Sequence, residues 1–166
     1  NRDRLSIKLY GEKRKLIDFI EHEKSVYCPS FDGEFLTLPY YPGTYNKNFV
    51  PSVEYDVKAR LDWLAGYIDS DGTCNSADGV ISISSINRDV LLRVKYLLNT
   101  LGCNATLSVM HEKDYRELPK NDTENKTKEY LCQTSYRLTI SANNVRKLIN
   151  LGLRTHRVIP NPTPNR

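Results

Sequence analysis

The chain has 166 residues, of which 39% are hydrophobic and 27% are charged. This length and composition fit one compact domain and exclude a disordered chain. No apolar run approaches the roughly 18 residues that a membrane span needs, and no N-terminal stretch resembles a signal peptide, so we expect no membrane partner. A net charge of +4 favours nucleic acid only weakly. The four cysteines form no Cys-x-x-Cys pair, which indicates neither a zinc site nor a disulfide framework and predicts an intracellular, reducing compartment.

The first third of the chain is predicted to hold one strand and one helix, followed by an irregular connection. Alternation predicts a strand over 4–9, and apolar residues at helical spacing predict a helix over 12–23. Residues 24–52 are interpreted as an irregular connection, because tyrosine, proline and glycine interrupt the periodic patterns there. The clustered tyrosines either pack within this loop or stack on bases and bond to phosphates; they are Tyr27, Tyr40, Tyr41 and Tyr45.

The rest of the chain alternates helices and strands. A long helix is predicted over 53–71, with Leu61, Leu64 and Ile68 on one apolar stripe. The later elements are a strand over 80–86, a helix from Asn87 to about Leu101 that Gly102 ends, a strand over 105–111, a charged loop over 112–128, a strand over 129–141, a helix from 143 or 144 to about 150, and an extended tail over 159–166.

Two short stretches near the start of the chain recur near its end. RLSI at 4–7 resembles RLTI at 137–140, and RKLI at 14–17 recurs at 146–149, with offsets of 133 and 132 residues. Chance similarity between two strand–helix pairs is one explanation, and an internal repeat, which we favour, is the other. The repeat divides the chain into the end of an earlier copy over 1–23, a connection over 24–52, a later copy over 53–158, and the tail over 159–166.

The segment LAGYIDSDG at 64–72 ends an apolar helix with two carboxylates and a glycine. Carboxylates near a helix C-terminus cost about 0.3–1 kcal/mol each, because that end of the helix carries partial negative charge. A divalent cation would offset this cost, although an ordinary helix stop at Gly72 gives the same pattern. A calcium loop starting at Asp69 is excluded, because its sixth and twelfth residues would be Cys74 and Val80.

The same nine residues closely resemble the LAGLIDADG motif of homing endonucleases, from which they depart at Tyr67 and Ser70. From about residue 47 to 158 the chain is similar to the intein-associated subclass of that family, with Lys47 and Pro51 preceding the motif as a basic residue and a proline do there. The resemblance implies an α+β fold in which helices pack on one face of an antiparallel, saddle-shaped sheet that binds DNA.

The resemblance also implies roles for residues along the motif helix. Asp71 would be the catalytic carboxylate and, with the carbonyl of Gly72, a ligand of Mg²⁺ or Mn²⁺, while Asp69 would be structural. Ala65 and Gly66 would let a second motif helix approach closely. Basic residues that would position water or stabilise the transition state are Lys47 and Arg157, with His156 as a substitute for Arg157; non-specific contact with phosphate is the alternative for each.

A partner is implied as well. One aspartate alone is a poor site for Mg²⁺, which usually takes one or two carboxylates together with waters and phosphate. The motif begins 73 residues before RLTI, and the same distance before RLSI lies outside the sequence. We therefore expect the partner carboxylate to come from a first LAGLIDADG half that this sequence lacks, or from a second chain.

Alternation along the predicted strands separates a core face from a face for double-stranded DNA. Ile81 and Ile83 point to the core, which puts Ser82 and Ser84 on the other face. The other predicted DNA contacts are Gln133, Ser135 and Arg137 on the last strand, where Gln and Arg suit base edges in the major groove, and Lys113, Arg116, Lys120, Lys126 and Lys128 in the charged loop, which would contact phosphates. A sheet with one solvated face and a solvated hairpin tip would explain the same patterns without DNA.

These observations predict a site-specific, metal-dependent double-strand DNA endonuclease, the endonuclease portion of an intein, which would act in the nucleus of a eukaryotic host. Two alternatives remain open. One is a LAGLIDADG-derived DNA-binding module that has lost cleavage, and the other is an intron maturase that binds structured RNA. Metal dependence distinguishes the first alternative from the endonuclease, and the choice between DNA and RNA distinguishes the second.

Overall fold

The computed structural model describes residues 5–39, 46, 48–75, 78–119 and 127–161. Near the N-terminus, three strands form a small antiparallel sheet in the order β1-β3-β2. These strands are β1 (Ser6–Tyr10), β2 (Lys24–Cys28) and β3 (Gly33–Thr37). The prediction that residues 24–52 are irregular is therefore wrong for 24–37. A short 3₁₀ helix, Pro29–Phe31, connects β2 to β3, with Asp32 after it in the left-handed conformation at φ 45°.

The segment predicted as a helix over 12–23 is a 3₁₀ helix, Gly11–Phe19. Gly11 makes the corner after β1 at φ +53°, a conformation that glycine adopts at little steric cost. Leu16 is the only residue of this helix that is buried. Since most helical stability in proteins comes from packing of an apolar face, this segment has little to favour a regular α-helix.

Within the described residues, the remaining elements form one antiparallel sheet, one separate hairpin and three α-helices. The sheet has the strand order β4-β5-β9-β6, and the hairpin pairs β7 with β8. The strands are β4 (Gly72–Cys74), β5 (Ile81–Ser85), β6 (Thr106–His111), β7 (Asp114–Pro119), β8 (Thr127–Cys132) and β9 (Ser135–Ile140); the helices are α1 (Val57–Asp71), α2 (Arg88–Thr100) and α3 (Ala142–Leu151).

All three helices bury apolar side chains against one face of the four-stranded sheet. The side chains that are completely enclosed there include Leu64 and Ile68 from α1, Leu91 and Leu98 from α2, Leu148 from α3, and Ile81, Ile83, Leu138 and Ile140 from the sheet. Each such residue stabilises the fold by about 1.5–3 kcal/mol relative to an exposed position. The predicted α+β fold, with helices on one face of an antiparallel sheet, is confirmed.

Side-chain caps set where two helices begin. The Asp56 carboxylate accepts a 2.6 Å hydrogen bond from the Ala59 amide, so α1 starts at Val57 and not at residue 53 as predicted. Asn87 caps α2 as predicted, accepting from the Val90 amide at 3.2 Å. The predicted end of α2 at Gly102 is also confirmed, with that glycine at φ +71°.

The region over 112–141 differs from the prediction of one loop and one long strand. Its first part is the β7–β8 hairpin, and the long strand is broken at Gln133–Thr134 into β8 and β9. The break arises because β8 pairs with β7 alone, whereas β9 pairs with β5 and β6 in the other sheet. At the break, the Thr134 hydroxyl accepts a hydrogen bond from the Lys113 amide at 3.1 Å. The three-residue strand β4 was not predicted, since it is too short to show a period.

Several sequence predictions lie outside the described residues: those for Lys47, for Tyr40, Tyr41 and Tyr45, for Lys120 and Lys126, and for the end of the tail over 162–166. The division of the chain into an earlier copy, a connection and a later copy stays a prediction. Among the described residues, no helix is both long and apolar enough to cross a membrane.

Candidate active site and nucleic-acid interface

The two aspartates of the motif have different surroundings. Asp69 is 3% exposed and accepts hydrogen bonds from three consecutive backbone amides of the segment that follows α3. The His156 amide donates to Oδ2 at 2.7 Å, and the amides of Arg157 and Val158 donate to Oδ1 at 2.9 Å each. The Asp69 carboxylate thus ties the end of α1 to the C-terminal loop, in agreement with its predicted structural role.

Arg157, predicted as a catalytic cation, caps the C-terminus of α1. Its guanidinium donates to the carbonyl of Asp69, to the carbonyl of Gly72 at 2.7 Å and to the carbonyl of Ile68 at 3.4 Å. A cation at this position offsets the negative end of the helix dipole that the motif acids would otherwise face. With its donors on these carbonyls, Arg157 holds the end of the motif in place, and a catalytic role for it stays a prediction.

Asp71 is the last residue of α1, and its side chain is 52% exposed. The ammonium of Lys13 lies 3.5 Å from its Oδ1. Burial, and then the negative charge of Asp71, raise the pKa of the Tyr67 phenol. Because β4 continues directly from α1, Asp71 lies only two residues before Thr73 in the sheet, and this exposed acid is in a position to meet a ligand.

The donors around Asp71 fit one part of a divalent-metal site. The exposed Asp71 carboxylate is a suitable oxygen ligand for Mg²⁺, while the Gly72 carbonyl already accepts a hydrogen bond from Arg157. Within the described residues, no group of three or more His, Cys, Asp or Glu side chains lies close enough to hold a metal ion. Asp71 is thus an exposed carboxylate that belongs to no such group among the described residues, and its role as a metal ligand stays a prediction.

The predicted helix-packing residues line an open cavity of about 540 Å³. Ala65 and Gly66 form part of its wall on α1, and apolar residues of β1 and the 3₁₀ helix, such as Leu9 and Leu16, form the opposite wall. Apart from its chain neighbours and the backbone of its own helix, a Cβ atom placed on Gly66 would meet no atom of the described residues within 4 Å. The surface that was predicted to receive a second helix is thus accessible at Gly66.

The face of the sheet opposite the helices carries rows of polar side chains. Residues directly opposite each other in neighbouring antiparallel strands point to the same side. One row joins Ser84, Arg137 and Ser108, and the next joins Thr73, Ser82, Thr139 and Thr106. The predicted orientation of Ser82, Ser84 and Arg137 is confirmed, whereas Gln133 is exposed in the break between β8 and β9. Ser135 pairs with His111 beside a bulge in β6.

Arg137 occupies the centre of this polar face. Its strand, β9, lies between β5 and β6, and its side chain lines a groove of about 460 Å³ together with Ser82, Ser84 and Met110. The buried Nε of Arg137 has no hydrogen-bond partner among the described residues. An unsatisfied buried donor is costly.

The hairpin separates charge between its two sides. Register places Arg116 opposite Tyr130, Leu118 opposite Lys128 and Asp114 opposite Cys132 on one side. We call this side the basic face, because its two cations outnumber its one acid. The Lys128 ammonium lies 5.7 Å from the centre of the Tyr130 ring. Glu117 pairs directly with Glu129 on the other side, which we call the acidic face. The sequence prediction of a charged loop missed this separation, because it depends on strand register.

Comparison with known proteins assigns the chain to a class. Residues 58–151 match the model of the LAGLIDADG-like domain, and the chain therefore belongs to the LAGLIDADG family. The matched region contains α1, the four-stranded sheet, the hairpin and α3. Proteins of this family are usually DNA-binding nucleases, often with two paired domains, and typically use divalent metals.

The chain is also similar to one particular viral protein, the ribonucleoside-diphosphate reductase large subunit of Invertebrate iridescent virus 6. The two are 27% identical over 154 residues, which is 92% of this chain but 16% of that subunit. The chain spans so little of the subunit that the activity in its name does not transfer to this chain.

Proposed function

We propose that this chain contributes one half of the active site of a site-specific endonuclease, which hydrolyses double-stranded DNA with a divalent metal. The observation that carries the proposal is the exposed Asp71 carboxylate at the end of the motif helix, two residues from the polar face of the sheet. An acid at the negative end of a helix costs about 0.3–1 kcal/mol unless a cation offsets it, and a bound metal would do so here.

Asp71 would hold Mg²⁺ or Mn²⁺ together with a carboxylate from a second motif helix. When bound, the metal supplies neutralisation of charge at phosphorus and an activated water. Two residues of this chain would hold the Asp71 carboxylate in place. Asp69 fixes the end of α1 to the C-terminal loop, and Arg157 caps the carbonyls at the end of that helix. The accessible surface at Gly66 supports close approach of the partner, whether a first half of the same protein or a second chain.

DNA would lie across the polar face of the four-stranded sheet. Arg137, at the centre of that face, has the fork geometry that pairs with the O6 and N7 acceptors of guanine. The serine and threonine rows around it offer shorter donors and acceptors, and Lys113 lies at the base of the hairpin. The hairpin would turn its basic face to the phosphates, because the Glu117–Glu129 pair on the other face would be repelled by them.

The orientation of the hairpin can be tested with two double variants. Arg116→Ala with Lys128→Ala removes two cations of the basic face, so we expect weaker binding to DNA. The slope of log K against log[salt] should fall by the amount that about two phosphate contacts contribute. Glu117→Gln with Glu129→Gln is the matched control, for which we expect equal or tighter binding. Titration of a duplex of mixed sequence at several salt concentrations measures both. Weaker binding by the acidic-face variant would show that the hairpin faces DNA the other way.

Metal dependence tests the function itself. The protein, in its natural longer context, is incubated with a plasmid library of random target sequences in Mg²⁺, in Mn²⁺ and in excess chelator. We expect cleavage at a restricted set of sites in the presence of metal, and binding without cleavage in chelator. Binding with no cleavage under any condition would instead favour a DNA-binding module that has lost activity, and a preference for structured RNA over DNA would favour a maturase.

We infer further that the domain is the endonuclease portion of an intein. The supporting observation is that a similar stretch makes up 16% of a reductase subunit whose name describes unrelated chemistry, which is what an inserted element predicts.

A further inference from the structure

We propose that Lys13 is a catalytic residue of the endonuclease, with its ammonium donating to an oxygen of the phosphate that is bound beside Asp71. This inference rests on the proposed function. Its basis is the ionic contact of 3.5 Å between Lys13 Nζ and Asp71 Oδ1, which joins the N-terminal region to the end of the motif helix. Sequence reasoning placed no role on Lys13, since the two residues are far apart in the chain.

The tertiary structure fixes the position of Lys13. The 3₁₀ helix that carries it leaves β1 at the Gly11 corner and buries Leu16. At its end, the Phe19 ring stacks on His156, with ring centroids 3.7 Å apart. His156 itself is held by the hydrogen bond that its backbone N–H donates to the Asp69 carboxylate. The same C-terminal loop that orders the motif therefore also anchors the segment that delivers Lys13.

The other candidate cations near the motif are engaged elsewhere or lie outside the described part of the chain. Arg157 donates to the carbonyls that end α1. Arg154 donates to the carbonyls of Ile149 and Leu153 at 3.1 and 2.9 Å. Lys47 falls outside the described residues. Among the residues that the structure describes, Lys13 is the cation in ionic contact with Asp71.

Hydrolysis of a phosphodiester increases negative charge around phosphorus in the transition state. The oxygen of water bonds to phosphorus, one P–O ester bond breaks, and a proton of water ends on the leaving oxygen. A fixed ammonium beside the phosphate stabilises this charge without transferring a proton itself. The ion pair between Lys13 and Asp71 does not prevent that role, because ion pairs between solvent-accessible side chains contribute little to stability. The Lys13 ammonium can therefore exchange the carboxylate for a phosphate oxygen.

The test compares Lys13→Met with Lys13→Arg and with a matched control, Lys58→Met. Lys58 is also paired with a carboxylate, that of Asp62, but it lies at the opposite end of α1. Two quantities are measured: the salt dependence of binding to a duplex of mixed sequence in chelator, and the cleavage rate of bound plasmid-library DNA in Mg²⁺. Urea midpoints verify that each variant is folded.

For Lys13→Met we expect the slope of log K against log[salt] to fall by the amount that about one phosphate contact contributes. We also expect cleavage to be slowed about 100-fold. Lys13→Arg should restore the salt dependence and part of the rate, and Lys58→Met should match the unaltered protein in both. Unchanged salt dependence overturns the inference, and so does a lower salt dependence with an unchanged rate. Faster cleavage by Lys13→Met also overturns it, since Lys13 would then be blocking Asp71.

The inference and the proposed function can fail separately. If the unaltered protein binds the duplex but cleaves nothing, the endonuclease proposal and the catalytic role of Lys13 both fail, while the salt dependence still decides whether Lys13 contacts phosphate. If the unaltered protein cleaves DNA and Lys13→Met cleaves equally well, only the role of Lys13 is wrong.

Discussion

Replacing Asp71 with asparagine is expected to slow DNA cleavage roughly a thousandfold, which corresponds to about 4 kcal/mol of lost transition-state stabilisation. The carboxylate is the acid that this chain would contribute to the metal, and an amide oxygen is a far weaker ligand. Folding should change little, within about 0.5 kcal/mol, because the side chain is half-exposed and its ionic contact in the described part of the chain is with Lys13. Single-turnover cleavage, DNA binding and urea unfolding measure the three quantities.

Binding is the internal control for this variant. Asp71→Asn removes a negative charge near the phosphates, so binding in chelator should be equal or slightly tighter. A variant that retains more than about a tenth of the rate would contradict the assignment of Asp71, because less than about 1.4 kcal/mol would then depend on its charge.

Asp69→Asn, unlike Asp71→Asn, is expected to change folding strongly. We expect its free energy of unfolding to fall by about 3 kcal/mol. The asparagine oxygen can still accept from two of the amides of Arg157, His156 and Val158, but its NH₂ group then faces a third N–H donor in a buried position. Removing one partner of a buried charged interaction costs about 3–5 kcal/mol, because the remaining groups stay unpaired. Urea unfolding followed by circular dichroism gives the measurement.

Asp71→Asn is the matched comparison for this variant, since it makes the same chemical change two residues away on the same helix. At low temperature, where Asp69→Asn is still folded, we expect it to keep DNA binding. A change in stability of less than about 1 kcal/mol would show that the C-terminal loop does not depend on this carboxylate.

The sequence by itself determined the class of fold, and it predicted which acid is most suited to chemistry. Periodicity identified α2 with its cap at Asn87 and the buried face of β5, because those signals are local and the core confirms them. The spelling LAGYIDSDG located the end of the motif helix, since a helix that stops at acids and glycine leaves a local pattern. The matched region of the family model agrees with that reading.

Local sequence patterns predicted neither the register of the strands nor which strands pair with each other. The region over 24–37 forms paired strands, and the 129–141 strand is divided, because pairing depends on residues distant in the chain. The two faces of the hairpin follow from the same register.

The tertiary structure alone decided which charges meet at the motif. The fold places the Arg157 guanidinium on the carbonyls that end α1, a contact that no local pattern indicates, and its catalytic role stays a prediction. Lys13 carried no sequence signal, yet folding brings its ammonium to Asp71. The physical reason is that charge and residue type are properties of the sequence, whereas the distance between two charges is set by packing between segments that the sequence separates.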